Sequence, residues 1–135
     1  MTSQSPRWGA TILRVSVASI FVIHGVTRLV LGTVGGFGSF LAGSGIPGGA
    51  ALAWILTLVE VGGGLALALG LGVRPLALWF GGQIAAGIAL VHASVGWFVV
   101  GAGRGGAEYS VLIIACLVAV ALTDSISFGA GGGRA

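Results

Sequence analysis

The sequence predicts an all-α integral membrane protein: an antiparallel four-helix bundle with both termini inside and two interfacial or re-entrant loops. Three observations carry this expectation. Hydrophobic residues make up 56% of the chain and charged residues only 7%, whereas a soluble domain carries about 25% charge. Four apolar segments approach the roughly 20 residues that cross a bilayer as helix. None of them alternates with a period of two, which argues against a barrel, the other fold that satisfies every backbone group in lipid.

The first apolar segment covers about residues 8–31. It runs on past Gly25 without a cleavage site, so it reads as a retained helix rather than a signal peptide. The second covers about residues 51–71. After the turn Gly72-Val73-Arg74-Pro75 the third continues to about residue 93, with Pro75 in its first turn, where the missing N–H is harmless. The fourth covers about residues 107–123. Residues 1–124 therefore read as one domain, and residues 125–135, rich in Gly and Ser, as a disordered tail.

Two connections have a different character. Residues 32–50 are glycine-rich yet carry Phe37, Phe40, Leu41 and Ile46, and residues 94–106 carry Trp97, Phe98, Val99 and Val100. Both are too apolar for water and too broken to span, so they are expected at the interface or dipping back into the membrane.

Six arginines and no lysine stand against Glu60, Glu108 and Asp124, giving a net charge of +3. That is too sparse and scattered for a nucleic-acid surface. With both termini cytoplasmic, Arg7, Arg14, Arg74 and Arg134 lie inside and Arg28 and Arg104 outside, the sense of the positive-inside rule. Cys116 stands alone in an apolar run, so the chain cannot build an internal disulfide, a CxxC pair or a thiolate metal site.

This topology brings His24, Arg28, Glu60, His92 and Glu108 into the outer half of the bundle, with Tyr109 beside them. Glu60 lies near the middle of the second helix, where a carboxylate costs about 2.5–3.5 kcal/mol on insertion scales, so it needs a partner or a proton. Thr57, Gly63 and Gly64 share its face at helical spacing, and small residues there admit a neighbouring backbone. His24 and Arg28, four apart, share a face of the first helix; that face should meet the glycine face of the second, with His92 and Glu108 closing the cluster beneath Trp97. The blander readings stand beside these. Arg14 and Arg28 can snorkel to opposite interfaces, His92 and Gln83 can serve as packing hydrogen bonds, and Glu108 suits the start of a helix. Two histidines on different helices could ligate haem, but nothing else in the sequence supports haem or a metal.

Arg14 followed by His24-Gly25 and Arg28, the stretch from Phe40 through Gly45-Ile46-Pro47, Glu60-Val61-Gly62-Gly63 through Gly70-Leu71 and Arg74, His92 with Gly96, and Glu108-Tyr109 occur in an order that resembles the DoxX family of small bacterial four-helix membrane proteins. Arg28 stands where that family usually has Lys. The resemblance implies a multi-pass protein of the bacterial cytoplasmic membrane with a quinone-linked role: the family's namesake is a membrane subunit of a thiosulfate:quinone oxidoreductase, while distant relatives assist trafficking or assembly. On this reading His24, Glu60, His92 and Glu108 would hydrogen-bond a quinone and relay protons. Arg28, Tyr109, Trp97 and Gly63 would line the ligand, with Arg28 holding the carboxylates charged. The sequence carries no haem motif, thiol pair or flavin fold, so a redox role requires a protein partner. The rival expectations are a non-enzymatic membrane anchor or assembly factor for a partner protein, and a carrier of a small solute or lipid; beside the lipid bilayer, a protein partner or a homo-oligomer is expected.

Overall fold

The computed structural model describes the backbone of residues 5–129 and the side chains of residues 7–123. Five helices follow one another: α1 (Ser5–Val30), α2 (Val34–Gly43), α3 (Gly49–Ala68), α4 (Val73–Gly87) and α5 (Glu108–Gly129). No strand occurs among the described residues. A π-helical turn, Ile88–His92, extends α4. Three stretches are long and apolar enough to cross a membrane: Arg7–Val30, Gly49–Ala68 and Val73–His92. The apolar part of α5, Glu108–Thr123, is shorter. Its backbone helix continues to Gly129, beyond the end expected near residue 123; the rest of the expected tail, residues 130–135, lies outside the described residues.

The chain forms two compact units, Ala18–Leu71 and Met1–Val17 with Gly72–Ala135. In the first unit, α2 occupies the connection that composition alone left irregular. At about 1.5 Å per residue its 10 residues reach only about 15 Å, half a bilayer, so it packs rather than spans. Its glycines are poor helix formers, and tertiary packing holds it instead. Val34 and Leu41 bury themselves with Ala53 of α3, and Phe37, Ile46, Leu52 and Leu56 surround them. A Cβ on Gly38 would stand 2.8 Å from the Ala50 Cα, so glycine at this position lets the backbones touch.

α3 buries Gly49, Ala53, Thr57, Glu60, Gly64 and Leu67, the spacing of three and four that lines one helical face. α1 crosses this face antiparallel: a Cβ on Gly64 would meet Val22 and the Ala18 carbonyl, and one on Gly25 would meet Val61 and the Thr57 carbonyl. Lipid tails are as apolar as leucine, so this contact is stabilised by close packing rather than by expelled water.

In the second unit α4 packs on α5. α4 buries Val73, Ala77 and Phe80, and α5 buries Leu117, Val120 and Ala121. Only 11% of the most apolar window of Val73–His92 is buried, the least of the three spans.

Candidate functional site

Arg28 and Glu60 form an ion pair between α1 and α3. Arg28 Nη1 donates to Glu60 Oε2 at 2.8 Å and Nη2 to Oε1 at 3.3 Å, a two-pronged fork. Nη1 also donates to Thr57 Oγ1 at 3.0 Å, and that hydroxyl donates its own O–H to the Ala53 carbonyl at 2.7 Å. The guanidinium lies over the Phe37 ring of α2, 4.5 Å from its centroid, within the range of a cation–π contact. Glu60 is buried at 3% exposure, while Arg28 keeps 16% of its side chain open. Three of the five guanidinium N–H groups are engaged in these bonds.

The local sequence explains the assembly. Gly25 lies one turn before Arg28, and its missing side chain lets the Thr57–Val61 stretch approach α1. Thr57 and Gly64 flank Glu60 on the same face of α3. Of the two carboxylates the sequence offered Arg28, the structure pairs it with Glu60.

His24 stands apart from the pair. It is exposed, and its Nδ1–H donates to the Ile20 carbonyl at 2.9 Å. A helix turns about 100° per residue, so His24 and Gly25 flank Arg28 on opposite sides, about 40° and 60° away. The close approach falls on the glycine side, which turns His24 outward; the face that meets α3 is Ala18, Val22, Gly25 and Arg28 rather than the expected His24–Arg28 pair. A carbonyl cannot donate, so the His24 proton bonded there resides on Nδ1, leaving Nε2 outward. Gly63 is half-buried beside Gly64.

The remaining expected site residues belong to the other unit. His92 ends the π-turn half-buried, and its Nδ1–H donates to the Gly105 carbonyl at 2.6 Å. Glu108 opens α5, and its backbone N–H donates to the Trp97 carbonyl at 3.0 Å. Trp97 and Tyr109 are more than half exposed. Sequence reasoning missed Phe37 as the ring beneath Arg28, because no spacing rule links a loop aromatic to a residue in the preceding helix. It named Gly25 without a role; a glycine one turn before an intramembrane arginine was the available signal.

The DoxX family model matches residues 9–93, well over half of the chain. The match takes in Arg14, His24, Arg28, Glu60 and His92 and ends before Trp97, Glu108 and Tyr109. No curated protein matches the chain, and no solved structure does. With three helices of membrane-crossing length and that match, the chain belongs to the DoxX family of multi-pass membrane proteins.

Proposed function

We propose that the protein is a membrane subunit of a quinone-linked oxidoreductase complex of the bacterial cytoplasmic membrane, with the quinone head group beside Arg28 and His24. The observation that carries this reading is a forked ion pair between two helices of membrane-crossing length, with an exposed histidine one turn away on the same helix. Ionisable groups within membrane helices are expensive and mark ligand or proton paths. The residues suit a quinone. Arg28 has N–H groups beyond those given to Glu60 and Thr57 for a carbonyl oxygen, and Glu60 cancels its charge for a neutral ligand.

A quinone, when bound, takes up two electrons and two protons, and the electrons come from a partner protein. His24 moves a proton at one defined atom. Its Nδ1–H stays on the Ile20 carbonyl in both protonation states, so only Nε2 gains or gives up a proton. Glu60, buried behind Arg28, orients the guanidinium. In this reading α5 makes a fourth crossing and both termini face the cytoplasm.

One observation favours a second reading, a non-enzymatic anchor or assembly factor. The pair is closed on itself by Thr57 and Phe37, as a lock between α1, α2 and α3 requires. Quinone content of gently extracted protein separates the two. The redox reading expects copurifying quinone, reduced in Glu60→Gln; protein that carries none and shows no change when quinone is added supports the anchor.

A further inference from the structure

The connection between the π-turn and α5 is a built structure. Gly106 N–H donates to the Phe98 carbonyl, Ala107 N–H to Gly96 and Glu108 N–H to Trp97, each at 3.0 Å. His92 ties the same segment through the Gly105 carbonyl. A Cβ at Gly106 would collide with the Trp97 carbonyl group, and Gly96, Gly101 and Gly105 adopt positive φ. On this fixed frame Val95, Trp97, Phe98 and Val100 are 53%, 54%, 48% and 67% exposed. Arg104, also exposed, is the sole charged residue of segment 93–107.

We infer that segment 93–107 is a pre-shaped interfacial anchor that seats Trp97, Phe98 and Val100 at the boundary of head groups and acyl chains and sets Arg104 on the phosphates of anionic lipid. The segment leaves Val73–His92 where that span ends and enters α5 fifteen residues later. The cross-bonds keep it from extending far into water, so it continues the lipid-facing surface of α4. Its chemistry is that of the membrane–water boundary: an amphipathic indole, apolar neighbours and one cation. A protein partner is the alternative cover, and the two behave differently once the purified protein sits alone in lipid.

The test uses the full chain with Trp8, Trp54 and Trp79 replaced by Phe, reconstituted in phosphatidylcholine vesicles with and without phosphatidylglycerol. Trp97 emission is expected to be blue-shifted, shielded from aqueous iodide, and quenched more by bromines high on the acyl chain than by bromines near its end. Brominated phosphatidylglycerol should be recruited to Trp97 about fivefold over the neutral lipid, the factor one arginine supplies near an anionic surface, and Arg104→Gln should lose that preference. A nitroxide on Val100→Cys, in Cys116→Ser protein with its tryptophans intact, reports the same depth should the tryptophan variant fail to fold. Iodide quenching typical of water-exposed indole, or a nitroxide in bulk water, overturns the inference and points to a protein partner. Absence of the anionic preference in the parent overturns the role given to Arg104.

Discussion

The guanidinium of Arg28 on α1 grips the carboxylate of Glu60 on α3 through two hydrogen bonds, at 2.8 and 3.3 Å. The contact ties Ala18–Leu71 together in a solvent where neither charge can be left alone. Removing one partner of a buried pair costs about 3–5 kcal/mol. Glu60→Leu should therefore lower stability in mild detergent by about 3 kcal/mol, the low end of that range because Arg28 retains some access to water. The double variant Arg28→Met/Glu60→Leu should be less destabilised than the sum of its singles. Thermal or denaturant unfolding of the four proteins measures the coupling, and additive losses would mean the pair is not a lock.

Close approach of α1 and α3 makes a second expectation. A Cβ on Gly25 would stand 2.7 Å from the Val61 methyl and 3.0 Å from the Thr57 carbonyl. The methyl can turn; the carbonyl cannot. Gly25→Ala should cost about 1–3 kcal/mol through overpacking and should also weaken the Arg28–Glu60 bond. Gly9→Ala, on the same helix with open space around it, should be neutral. Equal effects at the two positions would contradict the packing described here.

The three long apolar helices were legible in the sequence, because about 20 apolar residues in a row have few other uses. That Arg28 would meet a carboxylate was legible too, from the cost of a lone charge in lipid, but the choice of Glu60 over Glu108 was not. The finer arrangement was not. Helix α2 is invisible to propensity, since Val34–Gly43 contains four glycines and is held by Gly38 against α3. The outward turn of His24 depends on which flank of Arg28 offers the closest approach, a choice that periodicity leaves open. The hydrogen bonds that shape segment 93–107 depend on glycine conformations that composition does not specify.

Phe37 under Arg28 is open to a direct check. Phe37→Leu keeps an apolar side chain of similar size and removes the ring face. The cation–π contact, about 0.5–2 kcal/mol, should be lost while α2 stays in place. A hydrogen-exchange profile of residues 34–43 unchanged beside a lowered unfolding midpoint would show this; an unfolded α2 would mean that the ring serves the core alone.

Orientation has a simple readout. Reporter fusions at residue 135 and at Gly103 should place the first in the cytoplasm and the second outside, in keeping with four arginines against two. The reverse pattern would invert the topology and put segment 93–107 on the cytoplasmic face.

The quinone reading rests on His24 Nε2 and Arg28 N–H meeting the quinone oxygens, and infrared difference spectroscopy of reconstituted protein with carbonyl-labelled quinone tests it most directly. The bound quinone should show a carbonyl stretch shifted to lower frequency than in lipid alone, and the shift should diminish in His24→Phe while the protein stays folded. A carbonyl band identical to that of quinone in protein-free vesicles would contradict the reading and leave Arg28–Glu60 as a structural lock.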